Sequence, residues 1–292
     1  ALAAAERGAR ARIEPFPDAA DPALVCRVAL EPGPGPRRPD LAAQIPARRT
    51  NRTWSRPPLL TAEQAAWLHG EVPAEQGRLV LLRRREQLAE AARLMAACDR
   101  VCLLNPTMNA ETMHELRWSA EEAEAARDGL DVRTLELSPV QLTGLKLIAN
   151  ARALRLLSSI GAGRALGNLT REWVEQAAGV GLLAVPGPTP ADHVRGGRLL
   201  QRVWLAATAR GLDLHPITSL PYLLARTGRG GGEGLSAAEV EALESLRPGY
   251  QALFELPPGM TDVLLFRVVP ASPAPAVASL RRPLMTFLDQ AP

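Results

Sequence analysis

Between residues 86 and 101, apolar side chains recur at 88, 91, 92, 95 and 98, a spacing of three and four that predicts a helix with one buried face. A longer pattern of the same kind runs from 191 to 211. Leu200, Val203, Trp204 and Ala207 share one side there, and Gly211 ends the helix. Gly196 and Gly197 weaken its first turns and allow a close approach of backbone or cofactor. Between these helices, 180–185 is apolar without alternation, as expected for a strand covered on both faces. Shorter stretches at 11–16, 24–30, 78–82 and 262–269 predict further strands.

Thr61, with Glu63 and Gln64 following, opens a helix close to a capping box. Helices are also predicted over 105–119, 141–157, 170–178 and 236–246, with Arg127-Asp128-Gly129 as a turn. The segment 226–234 holds five glycines and reads as a flexible lid or linker. It lacks the terminal Lys-Ser/Thr of a phosphate-binding loop. Helices interleaved with few, separated strands predict an α+β layer fold.

Composition narrows the function classes. At 292 residues the chain can bury a sizeable core, and no apolar run approaches the roughly 20 residues of a membrane helix. The net charge is +3, and positive charge is almost wholly arginine, with Lys146 the sole lysine. With 4% aromatic residues and no basic-aromatic alternation, a nucleic-acid surface is unsupported. Three cysteines form no disulfide framework, and Cys98 and Cys102 lie four apart on a helical pattern, so a reducing cytoplasm is expected.

Familiar catalytic constellations are absent from the sequence. The four histidines stand apart, and there is no G-x-S-x-G elbow or Cys-x-x-Cys pair. A chain with so little polar machinery needs a cofactor to supply reactivity. The densest polar group is the turn Pro46-Ala47-Arg48-Arg49-Thr50-Asn51-Arg52, whose guanidinium forks and hydroxyl match the oxygens of a phosphate. Taken alone, such a cluster is more often a solvated basic face.

Three segments together resemble the nitroreductase superfamily. Arg48, Arg49, Thr50 and Arg52 match an early Arg-Arg-Ser/Thr-x-Arg segment. Gly197, Gln201, Leu205, Ala206, Ala207, Gly211 and Leu212 match a later helix leading into the turn Pro216-Ile217-Thr218-Ser219. Arg281 and Arg282 match a C-terminal arginine pair. The stretches Ile13-Glu14-Pro15-Phe16, Glu115-Leu116-Arg117-Trp118 and Gln201-Arg202-Val203-Trp204 resemble the Acg-type branch, including chains fused to a ThiF-like adenylyltransferase.

The resemblance implies an α+β nitroreductase-like fold, with a central, mainly antiparallel sheet packed between helices. Residues 1–37 would be a helix/strand remnant of a preceding half-domain, and 38–292 an FMN-binding domain. Arg48, Arg49, Arg281 and Arg282 would hold the FMN phosphate, and Thr50 and Arg52 the ribityl chain and ring edge. The Gln201 helix and the 216–219 turn would flank the ring. The implied activity is ping-pong hydride transfer from NAD(P)H through FMN to a small-molecule or modified-peptide acceptor. Neither nucleic acid nor membrane takes part. The Ser-x-x-Asn-x-Gln-Pro-Trp-like motif of Acg-type N-terminal halves does not occur here. A homodimer or a partner chain supplying that half is therefore expected. The alternative is a non-catalytic flavin-binding or flavin-sequestering protein, or a degenerate interaction domain.

Overall fold

The computed structural model describes residues 1–159, 167–272 and 277–286. A short helix, α1 (Leu2–Glu6), leads into a hairpin of β1 (Ala9–Pro15) and β2 (Cys26–Pro32). The helical turn α2 (Pro39–Ala42) and α3 (Ala62–His69) precede β3 (Arg78–Leu82). Helices α4 (Arg85–Leu104) and α5 (Pro106–His114) follow. Two two-residue strands, β4 (Leu116–Arg117) and β5 (Leu130–Asp131), then bracket α6 (Ala120–Ala126). After α7 (Pro139–Ala149), α8 (Ala151–Ser159) and α9 (Asn168–Glu175) come β6 (Gly179–Pro186), α10 (Pro190–Ala209) and β7 (Leu212–Pro216). The described elements close with α11 (Ser219–Arg229), α12 (Ala237–Glu244), α13 (Arg247–Phe254) and β8 (Met260–Pro270).

The architecture is the expected α+β arrangement. Strands β3, β6, β8 and β7 form, in that order, an antiparallel central sheet, with β6 and β8 inside it. The unbroken apolar run of β6 is explained by helices on both faces. Val180 and Leu182 pack with Leu265 against α4, α11 and α13, whereas Leu183 and Val185 pack with Phe266 and Val268 against α10. Gly181 sits opposite Phe266 in register, and a Cβ there would lie 2.5 Å from that ring. Gly196 makes the close backbone approach its sequence suggested, against Val263 of β8, where a Cβ would lie 2.4 Å away.

Local signals hold at several caps. Thr61 and Gln64 form the capping box of α3, and Ser119 accepts from the Glu122 amide at the start of α6. Elsewhere tertiary contacts redraw the expected boundaries. The helix expected over 105–119 stops at His114, because Leu116–Arg117 pairs in parallel with Leu130–Asp131. The 141–157 pattern breaks at Asn150, whose side chain caps the next helix through the Arg152 and Ala153 amides. The expected loop over 226–234 begins only at Gly230, after α11 has run through Arg229. The segment 212–216, where the sequence predicts no strand, is strand β7, and it ends at Pro216, the first residue of the expected turn.

Candidate functional site

A cavity of about 520 Å³ opens on the α4 face of the sheet, where β7 gives way to α11. That volume lies within the usual range for small-molecule sites. Pro216 ends β7, the Ile217 amide still donates to the Leu265 carbonyl (2.8 Å), and Thr218 and Ser219 turn the chain into α11. The cavity thereby brings Arg52 together with the whole 216–219 segment.

One wall is built from hydrogen-bond donors around a fully buried guanidinium. Arg267 and His215 are cross-strand partners on β8 and β7, so their side chains share a face. Arg267 Nε donates to His215 Nδ1 (2.9 Å), Nη1 to the Trp173 carbonyl (3.2 Å), and Nη2 to the carbonyls of Asn51 (3.4 Å) and Thr53 (3.2 Å). All these acceptors are neutral. Burial, and then the charge of Arg52, pull the Arg267 guanidinium down to about 10, with Glu136 opposing. Burial and the Arg267 and Arg52 charges hold the imidazole of His215 well below its ordinary value, so it is neutral. With Nδ1 accepting from Arg267, the ring proton sits on Nε2.

Trp173 packs edge-on against His215 (5.1 Å between centroids) and beside Trp54 (5.2 Å). Among the described residues, the buried indole nitrogens of both tryptophans have no hydrogen-bond partner. Arg52 is itself largely buried, which lowers its pKa, while Glu136 pulls the other way. Arg52 and the His215 ring N–H, with exposed Glu111 and Glu136 at or near the cavity, suit an anionic or acceptor-rich ligand.

The facing wall carries a carboxyl. Asp99, on the buried side of α4, accepts from Ser219 Oγ at one oxygen and from Thr170 Oγ1 at the other, and all three line the cavity. Burial pushes the Asp99 carboxyl above its ordinary value, although the two hydroxyls pull it down. Cys102 also lines the cavity. Cys98 is buried behind it, and its thiol is pushed well up by the hydrogen bond to Cys102, by burial and by Asp99.

The sequence-predicted residues divide. Arg52, Pro216, Ile217, Thr218 and Ser219 line the cavity; Arg48, Arg49, Thr50, Gln201, Arg281 and Arg282 do not. Arg49 is committed to buried Asp213 through Nε (3.2 Å) and to the Ser272 carbonyl through Nη2. Asn51 Nδ2 donates to the same Asp213 oxygen (3.1 Å). Thr50 forms a single parallel bridge to Leu214. Arg282 pairs with Asp128, and Arg127 Nε donates to the Arg281 carbonyl (2.8 Å). Gln201 belongs to α10, on the opposite face of the sheet.

Arg48 lies over the Trp204 ring, 4.5 Å from its centroid, and no salt bridge engages it among the described residues. Burial and the nearby Arg281 charge both lower its pKa, so these two guanidiniums form a second anion-seeking pair. Sequence reasoning missed Asp99, Thr170, Trp173, His215 and Arg267 as parts of the site.

A larger cavity, about 710 Å³, lies between α11, α13 and the start of β8. Its polar groups already serve one another: Tyr250 donates to Asp262 (2.8 Å), and Arg247 is forked onto Glu244 (2.6 and 2.7 Å). The smaller cavity carries the unspent chemistry.

No family model matches the chain. It is 33% identical over 235 residues to an uncharacterized protein of Mycobacterium tuberculosis, an alignment that takes in 80% of this chain and 32% of the relative. The chain thus spans about a third of the length of the curated relative it matches. Among solved structures it is similar to a nitroreductase with bound FMN from Bacteroides fragilis, at a TM-score of 0.43 and 11% identity, covering 86% of this chain and 98% of that one. It is likewise similar to the NADPH:FMN oxidoreductase of Vibrio harveyi complexed with NAD+, at a TM-score of 0.43 and 13% identity, covering 86% and 76%.

Proposed function

We propose that residues 38–292 form an FMN-dependent oxidoreductase domain of the nitroreductase type, Acg-like in its motifs, which takes reducing equivalents from NAD(P)H. Residues 1–37 would then belong to a preceding half-domain. The observation that carries the reading is the cavity itself. It joins Arg52 to the Pro216–Ser219 segment, two motifs far apart in the chain that the superfamily resemblance brings to one flavin edge.

The residues fit FMN on this structure's own terms. Arg52 and the His215 ring N–H, both from residues lining the cavity, suit the acceptor-rich ring edge. Arg48 and Arg281, which lie outside the lining of this cavity, are the guanidiniums this reading assigns to the phosphate, since Arg49 and Arg282 are tied into ion pairs. FMN, when bound, supplies a two-electron hydride centre, and the protein supplies binding, orientation and electrostatics. Arg52, with Arg267 behind His215, provides fixed positive charge facing the ligand, where the buried setting makes it count more than it would in water.

The test is an absorbance spectrum of the purified chain with FMN, before and after anaerobic NADPH. Binding followed by bleaching supports the oxidoreductase, whereas a flavin band that persists favours sequestration. Absence of FMN binding refutes both.

A further inference from the structure

We propose that Asp99 holds a proton for this cavity and passes it through the Ser219 hydroxyl to a basic atom of the bound acceptor. The inference rests on the oxidoreductase reading, in which an acceptor reduced at the expense of a reduced nicotinamide gains a hydride and needs one proton.

Placement comes first. Asp99 is a half-buried carboxyl in the cavity wall. Its two oxygens meet hydroxyls from two other elements, Ser219 on α11 and Thr170 on α9. Ser219 belongs to the 216–219 turn, and it lines the cavity beside Asp99 with its hydroxyl on the carboxyl.

Other titratable and charged groups around Asp99 are unsuited to the task. His215, from β7, is neutral, and its remaining proton on Nε2 makes it a hydrogen-bond donor and not an acid. Arg52 and, from α11, Arg226 are guanidiniums lining the cavity, and a positive field there favours an anionic product of proton loss nearby. Glu111 of α5 and Tyr222 of α11 are exposed at the rim. On α4 itself, the Cys98 thiol is buried behind Cys102. Burial raises the Asp99 carboxyl above its ordinary value, against the pull of the two hydroxyls.

The step balances without a further reagent. With the carboxyl protonated, Asp99 Oδ1–H donates to Ser219 Oγ, the reverse of the bond made to the carboxylate, and the hydroxyl hydrogen turns to the acceptor. The Ser219 O–H bond then breaks as the acceptor atom bonds that hydrogen, and Ser219 Oγ takes the proton of Asp99. The carboxyl becomes a carboxylate stabilised by the Thr170 and Ser219 hydroxyls, and water entering the cavity restores its proton.

The decisive experiment pairs a titration with turnover. Carboxyl carbon-13 NMR of the whole chain, labelled at aspartate and free of FMN, should show one aspartate titrating above the ordinary value of about 3.9. That signal should vanish in Asp99→Asn and persist in Ser219→Ala. With FMN, NADPH and a nitroaromatic acceptor, Asp99→Asn should lower kcat by about 10²- to 10⁴-fold, the range of a positioned acid, and leave KM nearly unchanged. The alkaline fall of the wild-type pH profile should disappear with it, and Ser219→Ala should lower kcat while the carboxyl still titrates high.

Ordinary titration of every aspartate overturns the proposal, as does an Asp99→Asn chain with unchanged kcat and pH profile. If Asp99→Asn does not fold, the wild-type titration and Ser219→Ala decide. FMN fluorescence quenching is recorded in parallel. Its absence refutes the flavin reading, while the FMN-free titration still decides whether Asp99 holds a proton.

Discussion

Replacing Arg49 with alanine separates two roles that the sequence could not. As a free phosphate ligand, Arg49 would cost cofactor affinity and little stability when removed. As placed here, it is the counter-ion of Asp213, whose side chain is 3% exposed, against 25% for Arg49. At 3.2 Å the pair attracts by about 5 kcal/mol at an effective dielectric near 20, a gross figure offset by desolvation. Breaking a fully buried pair costs about 3–5 kcal/mol, and the partial exposure of Arg49 brings the expectation to about 2–3 kcal/mol. Asn51 still donates to Asp213, which keeps the loss from being larger.

Urea unfolding should show this loss as a lower midpoint with an unchanged slope. Asp213→Asn should cost less, because the charge left behind is the more exposed one. A double-mutant cycle should return a coupling of about 1–2 kcal/mol. A stability loss below about 0.5 kcal/mol in Arg49→Ala, accompanied by a large drop in FMN affinity, would refute the ion-pair reasoning, since that is the range of an ordinary surface change.

Other consequences can be checked by similar means. His215 has a depressed pKa in the fold, so its stabilising contribution is present above the ordinary value of 6.5 and is lost as pH falls below it. The wild type should lose about 1 kcal/mol per pH unit in that window from this group, a component that pH-dependent urea melts should find missing in His215→Asn. Gly181→Ala should destabilise by about 1–3 kcal/mol through its clash with Phe266, and a thermal melt indistinguishable from wild type would count against the close packing. Trp173→Phe removes a buried N–H that has no partner among the described residues and should change stability by less than about 1 kcal/mol in urea melts, where a larger loss would count against the N–H being unpaired.

What the sequence could reveal tracks how local each signal is. Helices α4 and α10 and strands β6 and β8 carry periodic patterns long enough to be read directly, and the Arg52 and 216–219 motifs do meet at one cavity. Strand β7 escaped because Asp213 and His215 break its apolar character. Both are buried polar groups whose partners, Arg49 and Arg267, lie far off in the chain. The same dependence on distant partners explains why Arg49 and Arg282 look free in sequence and are paired in space. Two signals were available. Arg267 is a lone charge in the run Leu264-Leu265-Phe266-Arg267-Val268-Val269, and Asp99 falls four residues after Met95 on the buried side of its helix. Charges in such positions require partners or function.

The single rung between Thr50 and Leu214, reinforced by the Asn51 amide donating to the Leu214 carbonyl (3.2 Å), bears on solubility. Without it, β7 would present an open row of backbone donors and acceptors to any passing strand, the template from which chains aggregate edge to edge. The arginine turn covers that row with charge and an irregular backbone. Loosening the turn would therefore show first as self-association of otherwise folded chains, before any loss of helix or sheet.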